Sequence, residues 1–528
     1  MTPFDYVVAG IAAVFLGPEL FSIFGVPVSV TLVMIAFGFL AGVLVGATPG
    51  LGGVMVMAIS LPILISAFGF SSDALLPVMG FLIGVMKGAT VGGAVPAILF
   101  NTPGTPDSYM TTLDGYPMTQ KGQAGRALRV AHFSSAAGDT FSDVVLVLCA
   151  PFLALLVERF LDFPEKAALL ILSLSFIAAL VGASPAKGLL SAALGLLVAS
   201  IGTGNDFYPR LSLDTDLLSN GFPLVGVVVG VLVIGAVFDE FEKTLSDRTA
   251  AVPESRNGLG TEGRLTRRDY LDILPYVGRS ALTGTAIGAL PGIGSTLAAT
   301  LGYAVGARRH ARVAGPDEPA FGEGAPAGVA ATEAANSSVS GANLIPVLSL
   351  GIPGNTAAVF LILAADSIGG FNPGPSVFRF SEDVVNPELV IAFGIFTSMF
   401  VANALNWTIG GVFMRSMKVM TRFPKQRLLP VVLLLTLTAI YVQTTDFAAI
   451  WITLCFGLLG YLMRRLDISP LPFVIAFVLG GRIEETVRQA FAATGSDPWF
   501  LFNRPVAAAF MVAALFVIIW STRRKKRL

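Results

Sequence analysis

Apolar runs long enough to cross a membrane recur from one end of this chain to the other. They fall near 5–24, 26–47, 51–69, 74–91, 131–157, 164–183, 186–203, 221–238, 270–290, 293–306, 326–345, 384–408, 428–445, 447–463, 470–481 and 505–520. A helix of about 20 residues rises about 30 Å, the thickness of the hydrocarbon layer. The pattern therefore predicts an all-α polytopic membrane protein, with the shorter, glycine-rich runs entering and leaving on one face. One long hydrophilic stretch interrupts it, "DEFEKTLSDRTAAVPESRNGLGTEGRLTRRD" at 239–269. Its central position divides the chain into an N-terminal helix (1–24), a first half (25–238), a cytoplasmic connector (239–269) and a second half (270–528).

Composition supports this reading. The 528 residues are 54% hydrophobic and 13% charged, against about 25% charged for soluble domains. A net charge of +0 provides no field that would draw nucleic acid. Cys149 and Cys455 lie inside apolar runs and are read as small buried side chains, outside any disulfide or metal site. The opening segment has no basic stretch ahead of its apolar run, so it is read as a retained helix and not a cleaved signal.

The 34 Lys and Arg residues are unevenly spread. Most lie in 121–129, at Lys187, in the connector, in 308–312, in 415–427, at Arg464–Arg465 and in the tail "RRKKRL". The positive-inside rule puts these segments and the C-terminus in the cytoplasm. Arg482, Arg488 and Arg504, on the other side, run against the rule.

Within this frame a motif repeats. "GATPGLGG" at 46–53 returns as "GALPGIGS" at 288–295, and "PAILFNTPGTP" at 96–106 returns as "PVLSLGIPGNT" at 346–356. Two motifs in the same order define a duplicated unit. Bases follow the first motif only in its second copy ("RRHAR") and follow the second motif chiefly in its first copy ("KGQAGRALR"). The basic side alternates, so the two copies are expected to be inverted across the membrane, as in secondary transporters with broken helices.

Proline inside a helix costs about 3 kcal/mol or more, and lipid offers no water to the freed backbone groups. Such breaks persist when they are packed against protein or line a wet cavity. A half-helix starting at depth presents free N–H groups that suit a carboxylate, and the released carbonyls and hydroxyls suit a sodium ion. The candidate substrate- and ion-binding residues are accordingly Thr48, Gly50, Gly52 and Gly53; Asn101, Thr102, Gly104 and Thr105; Gly292, Gly294, Ser295 and Thr296; and Gly354, Asn355 and Thr356. The plainer alternative is that these glycines serve helix packing.

Other polar residues fall at membrane depth. Lys87 either attracts an anionic substrate or is a snorkelling or carboxylate-paired structural lysine. Glu333, Asn336 and Asn343 share one small-residue segment and are candidates for a coupling cation, against an alternative of interhelical hydrogen bonding. Asp139 and Asp143, four apart, are read as helix-end or structural carboxylates in preference to a proton relay. His132 and His310 sit beside basic segments and are read as interfacial.

"GATPGLGG", "ILFNTPGTPDSYMTTLDGYPMTQKGQAGRAL" and "GVAATEAANSSVSGANLIPVLSLGIPGN" closely resemble the hallmark segments of TctA, the large membrane subunit of bacterial tripartite tricarboxylate transporters. The resemblance spans essentially the whole chain and departs from the family pattern at Lys87, Asp107, Ser108 and within "ATEAANSS". It implies an importer of di- or tricarboxylates driven by Na+ or H+, with an elevator-like transport domain moving against a scaffold and no cofactor beyond the coupling ion. It also implies a small TctB-like membrane subunit, a TctC-like periplasmic binding protein and a place in the bacterial inner membrane. An ion channel or scaffold subunit is the alternative. An intramembrane enzyme is disfavoured, because no HExxH or GxSxG element is present.

Overall fold

A computed structural model describes residues 2–23, 25–48, 51–181, 184–202, 210–211, 219, 221–246, 265–315, 318–380, 385–416 and 425–524. The chain is a bundle of helices: α1 Pro3–Phe15, α2 Val30–Gly46, α3 Gly53–Phe68, α4 Ser72–Phe100, α5 Tyr109–Gln120, α6 Ala124–Phe160, α7 Phe163–Leu180, α8 Pro185–Ala199 and α9 (224–246) in the first half. The second half holds α10 Arg267–Gly288, α11 Ser295–Val313, α12 Pro326–Ala342, α13 Leu344–Leu350, α14 Thr356–Ile368, α15 (387–416), α16 Lys425–Thr444, α17 Phe447–Arg465, α18 Pro470–Ala493 and α19 Pro505–Arg524. Among the described residues, 7 helices have the length and composition of a membrane span. The protein is an all-α, multi-pass membrane protein.

Every apolar run of the sequence holds a helix, with differences at three places. The first helix stops at Phe15 instead of near residue 24, because Gly17–Pro18 cannot continue it. The remainder forms a hairpin, Glu19–Ile23 antiparallel to Val26–Ser29, with Gly25 at φ +79° in its turn. The Ser29 hydroxyl donates to the Val14 carbonyl and ties the hairpin to α1. Helix α14 had no counterpart among the apolar runs: the fourth broken motif hides its start, and only 13 residues follow. Cys149 and Cys455 are exposed, not buried. A helix face turned to lipid accepts an apolar side chain as readily as a core does, so apolar sequence at these depths does not distinguish the two.

Glycine sets the closest packing. On α2, Gly38, Gly42 and Gly46 lie against the carbonyls of Phe81, Val85 and Ala89; on α4, Gly84, Gly88 and Gly92 lie against those of Ile35, Phe39 and Val43. A Cβ at Gly88 would sit 2.1 Å from the Phe39 oxygen, so no other residue fits without moving a backbone. The partners rise together in number, so α2 and α4 run parallel. In the second half, Gly284 and Gly288 of α10 meet Ala335 and Val339 of α12 in the same parallel sense.

The halves also interlock. Gly138 of α6 lies against Ala334 of α12, and Gly394 of α15 lies against Leu76 of α4. Helices α6 and α15 run antiparallel: Asn403 meets Asp143 and Trp407 meets Thr140, while the Asn406 carbonyl meets His132.

Several bases that bear on orientation have structural partners. Arg482 donates to the Pro373 carbonyl at 2.8 Å, Arg488 pairs with Glu484 at 2.9 Å, and Arg504 lies 3.6 Å from Asp162. Arg464 donates to the carbonyls of Val231 and Leu232, each at 2.9 Å, at a π-helical turn of α9.

Gly88→Ala is expected to destabilise the protein by about 1–3 kcal/mol, the usual range for overpacking. Gly278→Ala, where a Cβ meets nothing within 4 Å, is expected to be neutral or up to about 1 kcal/mol stabilising through helix propensity. Thermal unfolding of the two variants in one detergent checks the difference.

Candidate functional site

The second, third and fourth Pro-Gly breaks are neighbours in space, and the second also reaches the helix end that leads into the first. The second packs on the end of α2: Gly104 donates its N–H to the Gly93 carbonyl at 3.3 Å, and a Cβ on it would lie 2.3 Å from the Gly46 oxygen. The third and fourth are joined by the Gly292 N–H donating to the Gly354 carbonyl at 2.9 Å. The second and third are joined by the Thr296 hydroxyl donating to Asp107 at 2.6 Å. Gly292, at φ +79°, adopts a left-handed conformation that suits glycine. Pro49 and Gly50 of the first break lie outside the described residues.

The repeat extends to backbone detail. Helix α4 ends at Asn101 with φ 53°, and α13 ends at the equivalent Gly351 with φ 72°. In each case the next N–H folds back six positions, Thr102 to Pro96 at 3.3 Å and Ile352 to Pro346 at 3.1 Å. These bonds satisfy carbonyls that the helix ends leave free.

After two of the breaks a helix restarts on a glycine. Gly52 caps α3 and Gly294 caps α11, neither with a side-chain hydrogen bond, and a Cβ at either meets nothing within 4 Å. Neither start is closed by a capping side chain, and at α3 the Met55 N–H donates to the Gly52 carbonyl at 3.0 Å. At the fourth break Asn355 caps α14 itself, its side chain accepting from the Ala358 N–H at 2.8 Å. Thr48 is buried and its hydroxyl donates to the Leu44 carbonyl at 3.0 Å; Thr102 donates to Phe100 at 3.1 Å. Thr105 closes a capping box with Ser108 and lies against Gly93, Gly53 lies against Ala89, and Ser295 and Thr356 open α11 and α14. Asn101 is exposed.

Two buried polar centres flank these breaks. In the first, the fully buried Lys87 ammonium lies 3.0 Å from Asp139 and 2.8 Å from Asp143, and donates to the Asn403 amide oxygen at 3.1 Å. Asn403 donates to Asp143 at 2.7 Å and Ser340 to Asp139 at 2.8 Å. Asp139 and Asp143 thus occupy the middle of α6, not a helix end, and Lys87 neutralises protein carboxylates in this state.

In the second centre, the Glu333 carboxylate accepts from the Thr111 hydroxyl and from Ser135 at 3.0 Å. It is fully buried. Asn336 and Asn343 are buried with both amide atoms lacking a hydrogen-bond partner among the described residues, and the Asn343 oxygen faces Gly354. A carboxylate met by two hydroxyl oxygens is an all-oxygen set of the kind that a hard monovalent cation prefers.

Sequence reasoning missed Asp114. Its Oδ1 accepts from the N–H groups of Gly322, Gly324 and Ala325 at 2.9, 2.9 and 2.8 Å, and Lys121 donates to the Glu323 carbonyl at 2.6 Å. The "LDGYPMTQK" segment is thus a clamp on the loop that leads into α12. The paired glycines of "FGEGAP", both at positive φ (90° and 95°), were the available signal. His310 is buried, meeting the Tyr276 hydroxyl at 3.1 Å and the Pro319 carbonyl at 3.0 Å.

Beside the fourth break lies a cavity of about 230 Å³ bordered by Ile352, Asn372, Ser376, Lys166 and Arg482. The Arg482 guanidinium also donates to the Gly351 carbonyl at 3.3 Å, fastening the left-handed turn.

Broken helices packed break against break, with ionisable groups buried beside them, define a multi-pass membrane protein built for transport. The chain belongs to the Tripartite tricarboxylate transporter TctA family, whose pattern matches residues 32–475. That is a family of transporters, not of enzymes. An uncharacterized 52.8 kDa protein in the TAR-I ttuC′ 3′ region of Agrobacterium vitis is 32% identical over 502 residues, 93% of each chain. A second uncharacterized protein, in the TAR-II ttuC′ 3′ region of the same organism, is 30% identical over 240 residues, 45% of this chain and 92% of its own. No solved structure matches.

Asp114→Ala is expected to leave three N–H donors without their acceptor, at about 1–3 kcal/mol. A lowered melting temperature and faster proteolysis within 315–325 are the measurements that check it.

Proposed function

We infer that this protein is the ion-coupled large membrane subunit of a tripartite importer for a di- or tricarboxylate. It works in the bacterial inner membrane with its C-terminus in the cytoplasm, beside a TctB-like small subunit and a TctC-like periplasmic protein that delivers substrate. The observation that carries this reading is the pair of helix starts at Gly52 and Gly294. Equivalent in the repeat, both lack a side-chain cap and open onto space. A carboxylate there meets the positive end of each helix dipole and first-turn N–H groups that no capping side chain engages.

The remaining candidates divide by chemistry. Gly53, Gly104, Gly292 and Gly354 let the breaks approach one another; Thr296, Ser295, Thr105 and Asn355 frame them. Glu333, with Thr111 and Ser135, supplies oxygens for Na+, while Asn343, at the far end of α12, faces Gly354 of the fourth break. The antiparallel run of α6 against α15, equivalent helices of the two copies, supports an inverted arrangement in which one body slides as an elevator against the rest. The cavity beside Arg482 supports a route to the site from the periplasmic side.

Gly294→Asp supplies a built-in carboxylate cap where space is open. It is expected to keep the fold, a cap being worth about 1 kcal/mol, and to abolish uptake of labelled citrate or succinate in proteoliposomes carrying all three subunits. Gly294→Ala should retain uptake. Normal transport by Gly294→Asp would sink the reading. Glu333→Gln is expected to raise the Na+ concentration for half-maximal uptake at least tenfold, by the 1.4 kcal/mol equivalence; an unchanged Na+ response removes Glu333 from the ion site.

A further inference from the structure

The Lys87 centre carries more negative than positive charge. Lys87, Asp139 and Asp143 are all fully buried, and one ammonium cannot balance two carboxylates. An uncompensated buried charge costs several kcal/mol, so the group must acquire one positive charge. The geometry leaves room for a proton: Asp139 Oδ2 and Asp143 Oδ1 each lack a hydrogen-bond partner among the described residues, while the other oxygen of each is engaged by Lys87. Asp143 Oδ1 lies against Gly341, where a Cβ would come within 2.3 Å. This close approach leaves little space for a hydrated cation.

Several charged groups elsewhere on the packed elements are engaged in other contacts. On α6, Arg126 pairs with Asp269, Glu158 with Lys166 and Arg379, and His132 meets the Asn406 carbonyl. On α12, Glu333 is held by Thr111 and Ser135; from α5, Asp114 is held by the 322–325 loop; α15 contributes the neutral Asn403. Helix α4 contributes Lys87.

We propose that Lys87, Asp139 and Asp143 form a proton-carrying site, the two aspartates sharing one exchangeable proton that crosses the membrane with the substrate. The proton is taken from water onto a carboxylate oxygen on one side and returned to water on the other. Lysine and aspartates sit on different helices, α4 and α6. A displacement of one against the other moves the ammonium away, stabilises the carboxylates less and raises their affinity for protons; the reverse displacement expels a proton. This rests on the transport reading above and adds a second coupled ion to the Na+ assigned to Glu333.

Charge arithmetic gives an asymmetric test. Asp143→Asn or Asp139→Asn leaves one balanced ion pair, and each is expected to fold with near-native melting temperature. Lys87→Gln strands two carboxylates and should melt markedly lower, and Lys87→Gln/Asp143→Asn should recover part of the loss. In infrared spectra at neutral pH, the wild type should show a protonated-carboxyl band that both single aspartate variants lack.

In proteoliposomes with all three subunits and equal Na+ on both sides, an inward proton gradient should drive accumulation of labelled citrate or succinate. Asp139→Asn and Asp143→Asn should lose at least tenfold of that response while retaining exchange of internal for external label. Absence of the carboxyl band in the wild type, or full gradient response in both aspartate variants, overturns the proposal. Uptake driven by Na+ but indifferent to pH overturns the proton site and leaves the transport reading standing. No uptake under any gradient overturns both.

Discussion

Backbone that leaves helical geometry inside a membrane has to find its hydrogen-bond partners within the protein, and most of this architecture answers that requirement. The breaks after α4 and α13 close on themselves through bonds from Thr102 and Ile352 to the carbonyls of Pro96 and Pro346. The third break is stitched to the fourth by Gly292 and Gly354. Carbonyls at π-helical turns of α9 and α15 meet Arg464 and His132. At Gly52 and Gly294, equivalent in the repeat, no side chain caps the helix start and a Cβ would meet nothing within 4 Å.

Close approach makes the stitching geometrically possible. With Gly38, Gly42 and Gly46 facing Gly84, Gly88 and Gly92, helices α2 and α4 meet backbone to backbone, and the second break is drawn onto the last turn of α2. In lipid there is no hydrophobic force between apolar helices, so this contact area and the hydrogen bonds at the breaks hold the bundle together. The same glycines that read as kinks in one dimension act as contact surfaces in three.

The apolar pattern carried the helices, and the Pro-Gly pairs carried the repeat, because both are local properties of the chain. What was not legible depended on distant partners. Nothing near Lys87 in sequence announces that Asp139 and Asp143, 52 and 56 positions away, will neutralise it, and nothing near Asp114 announces the 322–325 loop. Helix α14 escaped notice because a broken motif precedes it, and the 15–24 segment because Gly17–Pro18 sits inside an otherwise helical apolar run. Cys149 and Cys455 were misplaced because hydropathy does not tell lipid-facing from buried positions. Gly50, in the first break, falls outside the described residues.

On the proposed reading the two polar centres differ in a way that suits them to different ions. Glu333 is met by two neutral hydroxyls and carries one negative charge, which a monovalent cation would cancel. The Lys87 centre already contains its cation, its remaining carboxylate oxygens face backbone and small residues, and one proton completes its balance without added volume. Both centres lie where α6 and α12 meet, so a displacement that reshapes one must be felt at the other. A carboxylate bringing two or three negative charges into the space before Gly52 and Gly294 would favour loading of both, and coupling then follows from electroneutrality at depth, with no direct contact required between ion and substrate.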